Sequence, residues 1–293
     1  MARTETILVT GATGKVGRAL VSALLESGAR VRALVRDPST AGLPGAVTVV
    51  PGDLTDPASV AKAAEGATAA FLLWPMLTAD DAPAVLDAIT EHTGRIVYLS
   101  SAGVRDDQDT QDDPISQFHA DIEQSIRKTG ADWTFLRAGG FAANSLAWVR
   151  TVREEARVRE PFGGAQRAMV HERDIADVAV RALTEPGHVG AVHVLTGPES
   201  QTTVERVRIL GETLGLSVRF EQTPAARARE EMISQGWPAT VVDGFLDAHE
   251  AMEAAPDDVT TTVAEVTGHP ARTFAQWVSD HADDFGARAA GNR

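Results

Sequence analysis

Three glycines in Gly11-Ala12-Thr13-Gly14-Lys15-Val16-Gly17 follow the apolar run Ile7-Leu8-Val9-Thr10 and open an amphipathic stretch. Gly11 permits a tight turn, Gly14 lets backbone approach a pyrophosphate, and Gly17 lets a helix pack against the preceding strand. Thr13, Lys15 and Val16 lie in the same turn. Unpaired N–H groups there, with the positive end of the helix dipole, suit phosphate oxygens. The spacing therefore predicts a dinucleotide cradle, whereas the same glycines without the flanking strand and helix would mark only a turn.

Two further positions bear on which dinucleotide. In an NAD site a carboxylate usually ends the second strand and binds the adenosine ribose hydroxyls. Here that run, Val31–Val35, ends in Arg36, with Asp37 one residue later. A guanidinium suits a 2′-phosphate, so NADP(H) is expected ahead of NAD, with Asp37 left as a ribose ligand in the alternative. Gly52-Asp53-Leu54 follows the third run. Asp53 is either an acceptor for the adenine amino group or the capping residue of a turn.

The elements that must position these residues are legible as a rhythm. Apolar runs at Thr6–Thr10, Val31–Val35, Val47–Val50, Ala69–Leu73, Arg95–Ser100 and Trp133–Arg137 alternate with helical patterns at Lys15–Ser27, Ala58–Glu65, Asp80–His92 and Ile115–Thr129. Continuous apolar strands separated by amphipathic helices predict a parallel sheet covered on both faces, the doubly wound α/β class. Asp56-Pro57 and Asp113-Pro114 supply helix starts. Beyond Ala138 glycine and proline break the chain into shorter pieces. A helix at Glu172–Thr184 and a strand at Val192–Leu195 are expected to return to the sheet, and Thr203–Ala255 reads as a mostly helical lobe.

Composition excludes several functions. The 293 residues contain no cysteine, which removes disulfides, thiol nucleophiles and thiolate metal sites. The histidines lack zinc-site spacing, so no metal is expected. A net charge of −14 disfavours nucleic acid. No apolar run approaches the roughly 20 residues of a membrane span, and no signal-like segment leads the chain, so a cytoplasmic protein is expected.

In order and spacing, these residues resemble the NmrA-like branch of the atypical short-chain dehydrogenases, of the NAD(P)H:quinone oxidoreductase type. The resemblance is carried by Leu8–Gly14, Leu34-Val35-Arg36, Gly52-Asp53-Leu54, Leu99-Ser100-Ser101-Ala102-Gly103, His119–Glu123 and Trp133–Arg137. Phe141, Asn144, Arg173–Ala176 and Leu195–Pro198 extend it. It implies a Rossmann domain over 1–150, completed by about 170–198 and 257–285, with a smaller substrate-side lobe from 151–169 and 199–256. The family includes NAD(P)H-dependent reductases of quinones, imines and enones, and also proteins that bind the dinucleotide as redox-responsive regulators.

Ordinary short-chain dehydrogenases move the substrate proton with a Tyr-x-x-x-Lys pair. The single tyrosine, Tyr98, lies inside the fifth apolar run and is followed four residues on by Ala102, so the pair is absent. The helix that would carry it offers His119 and Glu123, one turn apart. NmrA-like proteins place a Lys or His near His119, which implies a nicotinamide-ribose contact; a general acid and an ordinary surface histidine are the alternatives. Glu123 is expected to hold the imidazole charged. Ser100 and Ser101, at the carboxyl edge of the sheet, either meet the nicotinamide or a substrate carbonyl or merely begin a turn. Leu73 and Trp74 after the fourth run, and Gly139 and Phe141 with Asn144 after the sixth, are candidate apolar walls. Trp237 and Phe245 are candidate roof residues, with core packing the alternative.

The expected function is an NADPH-dependent reductase of a small quinone, enone or imine. Such acceptors take hydride with little help from a protein acid. A non-catalytic NADP(H) sensor and a redox-neutral isomerase or cyclase are the alternatives. The sequence leaves monomer and homodimer open.

Overall fold

The computed structural model describes residues 5–287. They form two compact units. The first comprises the described residues up to Ala138 with Glu172–Leu195 and Glu265–Gly268.

In the first unit seven parallel strands run in the order β3-β2-β1-β4-β5-β6-β9. They are β1 (Thr6–Val9), β2 (Arg30–Val35), β3 (Thr48–Pro51), β4 (Ala69–Leu72), β5 (Arg95–Ser101), β6 (Asp132–Ala138) and β9 (Ala191–Leu195). Helices α2 (Pro57–Ala64), α3 (Ala82–Thr90) and α4 (Pro114–Lys128) pack one after another over Leu8, Leu34, Leu72, Ile96, Tyr98 and Phe135. Helices α1 (Lys15–Glu26) and α6 (Glu172–Thr184) pack against each other. Val16, Leu20, Val21 and Leu24 form the buried stripe of α1. Their spacing of three and four is the helical period, and each buried side chain contributes roughly 1.5–3 kcal/mol by area. Strand order reverses between β1 and β4, which is where doubly wound sheets open a ligand crevice at their carboxyl ends. Thr10 ties that point together: its hydroxyl donates to Leu73 O at 3.1 Å and accepts from Leu73 N at 2.8 Å.

The second unit comprises Gly139–His171, Thr196–Ala264 and the described residues from His269. It begins with a 3₁₀ helix (Ala142–Trp148) and α5 (Val149–Glu155). Two short strand pairs follow: β7 (Arg157–Glu160) with β11 (Arg219–Gln222), parallel, and β8 (Gln166–Arg167) with β10 (Gln201–Thr202), antiparallel. Its helices are α7 (Thr203–Leu214), α8 (Ala225–Ser234), α9 (Ala239–Ala251) and α11 (Phe274–Asp280); α10 (Thr262–Thr267) lies between the last two in sequence. Trp148, Val207, Leu210, Phe274 and Trp277 form its core.

This division differs from the expected one. The resemblance places segments 139–150 and 257–285 in the Rossmann domain, yet nearly all of both belongs to the second unit. The physical reason is apolar: Trp277, fully buried and stacked on Phe274, joins the core of α7. The predicted strands and helices are otherwise present, displaced at their ends by one or two residues. No helix of the described residues is long and apolar enough to cross a membrane.

Candidate functional site

The phosphate loop has the geometry its glycines require. Gly11 sits at φ +64, a conformation L side chains rarely adopt, with the Leu73 side chain 3.1 Å from where a Cβ would lie. A Cβ on Gly17 would fall 2.0 Å from Gly11 O, so only glycine lets α1 start this close to the turn. Gly14 is the N-cap of α1, with no side-chain cap and no acidic residue in the first turn. By contrast Asp56 caps α2 and Asp113 caps α4 through their carboxylates. The start of α1 thus has no side-chain cap, and Gly14 N donates to Gly11 O at 2.9 Å. Thr13, Gly14 and Lys15 are exposed there, while Val16 and Gly17 are buried against the sheet. Arg18 braces the loop, donating to Thr13 O at 3.0 Å, Gly42 O at 2.9 Å and Ala41 O at 2.8 Å.

At the end of β2, Arg36 is exposed. Among the described residues its guanidinium makes no hydrogen bond. Asp37 is engaged in its own turn: Oδ1 accepts from Ser39 N at 2.9 Å and from Ser39 Oγ at 2.6 Å. These bonds hold Asp37 below the usual carboxylate range. Asp53 is likewise a turn aspartate, its Oδ1 accepting from Thr55 N at 2.9 Å and Thr55 Oγ1 at 2.8 Å. The Thr55 bonds depress its pKa, and the Arg36 charge adds to them. Leu54 beside it is core.

Further along the sheet edge lies a polar network in α4, β5 and β6. Tyr98 is fully buried on β5, and its hydroxyl is 2.6 Å from His119 Nδ1 on α4. Burial, with the Glu123 charge second, pushes the phenol well above its ordinary pKa, so it stays protonated. A buried phenol proton needs an acceptor, and Nδ1 is the one that meets it, which places the imidazole proton on Nε2. Burial lowers His119 to about 4. It is neutral at pH 7, an Nε2–H donor rather than an imidazolium. Phe118 packs on the ring at 4.3 Å between centroids.

Glu123, fully buried, has other partners. It accepts from Ser100 Oγ at 2.7 Å and, in bidentate fashion, from Arg137 Nε at 2.9 Å and Nη2 at 2.7 Å. Arg137 also holds Asp106 at 2.8 and 2.7 Å, and Arg127 reaches Glu123 at 3.2 Å.

The chain matches the NmrA-like family over residues 3–271. It is 37% identical over 282 residues to a (4-alkanoyl-5-oxo-2,5-dihydrofuran-3-yl)methyl phosphate reductase of Streptomyces griseus, covering 95% of this chain and 99% of that one. It is 32% identical to an NAD(P)H azoreductase of Xenophilus azovorans, covering 96% of this chain and 99% of that one. Among solved structures, the NADPH complex of the Escherichia coli quinone oxidoreductase QOR2 superposes with a TM-score of 0.77 at 25% identity, covering 94% of this chain and 99% of that one. The chain belongs to the NmrA-like family.

In this NmrA-like protein several expected roles change. Glu123 does not hold His119 charged: its carboxylate is claimed by Arg137, Arg127 and Ser100, and burial leaves the imidazole neutral. The i, i+4 spacing is compatible with contact, but β6 supplies a stronger partner for the carboxylate. Ser100 is buried and donates to Glu123, while Ser101 Oγ accepts from Gly103 N at 3.1 Å. Trp74 is core, 5% exposed, its indole donating to Thr78 O at 2.8 Å; the half-buried Leu73 lies against Gly11. Gly139, Phe141 and Asn144 fall in the second unit, where Phe141 bridges to Val170 and Asn144 is exposed. Trp237 is 42% exposed, and Phe245 packs on His249 at 4.0 Å between centroids. Sequence reasoning missed the Tyr98–His119 contact and the Arg137–Asp106 pair. Their partners lie on different elements, and no local spacing encodes them.

Proposed function

We propose that this chain is an NADPH-dependent reductase transferring hydride to a small conjugated electrophile. The observation that carries the reading is the uncapped, glycine-ended start of α1 at the point where strand order reverses. Thr13, Gly14, Lys15 and Val16 would hold the pyrophosphate, with Gly11 and Gly17 shaping the turn. Arg36 would meet the 2′-phosphate, since Asp37 has its Oδ1 committed to Ser39 and offers a ribose less. When bound, the dinucleotide supplies hydride.

The acceptor class follows from the same residues. A neutral His119 can donate an Nε2–H hydrogen bond to an oxygen but is a poor source of a full proton near pH 7. An acceptor that delocalises its developing negative charge needs no more than that. The 37% identical relative is named for a 5-oxo-2,5-dihydrofuran, a conjugated lactone, which favours an enone among the quinone, enone and imine candidates.

The test is stopped-flow oxidation of bound NADPH against a panel of quinones, enones and iminium compounds. Turnover should be fastest with an enone and show no step near an unperturbed imidazole pKa. NADPH that binds tightly and is oxidised by none of the panel would overturn the reading in favour of a cofactor sensor.

A further inference from the structure

The second unit holds a buried arginine of its own. Arg206, the fourth residue of α7, is 5% exposed, and among the described residues no acceptor meets its Nε–H. Its Nη2 donates to Thr203 Oγ1 at 2.8 Å, and the guanidinium lies 5.8 Å from the centre of the Trp148 ring. A guanidinium carries five donors and accepts nothing, so burial with an orphaned donor is costly until an anion completes it.

Among the described residues no carboxylate hydrogen-bonds Arg206, although the Glu160 and Asp257 charges favour its ionised form. Arg167 on β8 is a second cation: β8 pairs with β10, and α7 begins where β10 ends. Arg167 Nε is 3.4 Å from Asp257 Oδ2, and its Nη1 is 3.4 Å from His249 Nε2, both long contacts. His249 is lowered to about 4 by burial and then by Arg167, so it is neutral at pH 7. Burial raises the pKa of Glu160, opposed by the Trp148 hydrogen bond and the Arg206 charge; its Oε1 accepts from Trp148 Nε1 at 2.8 Å. Burial and the Arg167 charge bring Arg206 down to about 10, still cationic at pH 7. Arg206 and Arg167 thus lie near two carboxyl groups, Asp257 and Glu160, neither of which hydrogen-bonds Arg206.

We propose that Arg206, with Thr203 beside it and Arg167 on β8, forms a binding site for an oxyanion, either a phosphate monoester or a carboxylate.

The test is calorimetry on the whole protein saturated with NADPH, so that the cofactor cradle is filled. Methyl phosphate, inorganic phosphate and butyrate are titrated separately into wild type, Arg206→Met and Arg208→Met. Arg208 is an exposed control paired with Glu212. Saturable one-to-one binding is expected, weakened about tenfold or more in Arg206→Met, as for loss of one charge-assisted contact, and unchanged in Arg208→Met. The stronger of the methyl phosphate and butyrate responses distinguishes a phosphate ester from a carboxylate. Should Arg206→Met fail to fold, Arg206→Lys supplies the same readout, since it keeps the charge and loses the Nε–H. No binding by any of the three anions, or equal affinity in the Arg206 variant, overturns the proposal. Failure of the reductase reading is separate: it appears as no NADPH oxidation by a neutral enone, with the anion titration intact.

Discussion

Among the described residues each unit buries one arginine to the same extent, 5% exposed, and they are treated in opposite ways. Arg137 in the first unit has both edges of its fork filled, by Glu123 and by Asp106. These partners raise its pKa against the opposing effect of burial. Arg206 in the second unit has a hydroxyl and an aromatic ring, and its pKa falls. A fully paired buried ion is part of the scaffold, whereas a buried ion with an unmet donor is a candidate to meet an external acceptor. Arg137 stiffens the edge that carries Ser100, Tyr98 and His119; Arg206 is the candidate for contact with what arrives.

The comparison is open to direct attack. The largest effect is expected for Arg137→Met, which strands the fully buried Glu123. Urea unfolding should report a loss of about 3–5 kcal/mol, the usual cost of breaking a buried pair. Adding Glu123→Leu should restore most of it. A loss below about 1 kcal/mol would mean that Arg127 alone compensates the carboxylate, and the scaffold role of Arg137 would fall.

Acid should weaken both units through half-buried neutral histidines. His119 and His249 are each lowered to about 4 by burial. The unfolded chain takes up these protons near pH 6.5, before the folded one does. Stability is therefore fully present above pH 6.5 and declines as pH falls toward 4, by up to roughly 3 kcal/mol for each group. Comparing urea midpoints at pH 7.5 and 4.5 in wild type, His119→Gln and His249→Gln isolates these contributions. An unchanged pH slope in either variant would remove that histidine from the account.

A third arginine, Arg36, is exposed, so its removal should leave stability almost untouched and act on ligand alone. Arg36→Ala should weaken NADPH by about 1.5–3 kcal/mol, one to two decades in dissociation constant, and leave NADH nearly unchanged. Equal losses for both cofactors would make Arg36 a support of the loop and not its selector.

The smallest effect is expected for Arg206→Met without ligand. Replacing an incompletely paired buried cation by an apolar chain of similar length is often neutral or stabilising. The urea midpoint should correspond to a change within about 1 kcal/mol. Destabilisation as large as that of Arg137→Met would mean that Arg206 is scaffold too, and the contrast would disappear.

The glycine spacing and the alternation of apolar runs with amphipathic stretches were enough to read the doubly wound sheet and the glycine turn that opens α1. These features are local, with periods of two or about 3.6 residues and turn chemistry a few residues long. The chain's own order therefore determined the elements and the phosphate loop. Tertiary structure alone decided who partners whom. Glu123 lies one turn from His119 yet pairs with Arg137, fourteen positions on, and Tyr98 reaches His119 across the gap between β5 and α4. It also decided that Phe274 and Trp277 join the core of α7 and not the sheet. Hydrogen bonds between side chains and the burial that shifts their pKa values depend on distances between elements, and those distances arise only when the elements pack.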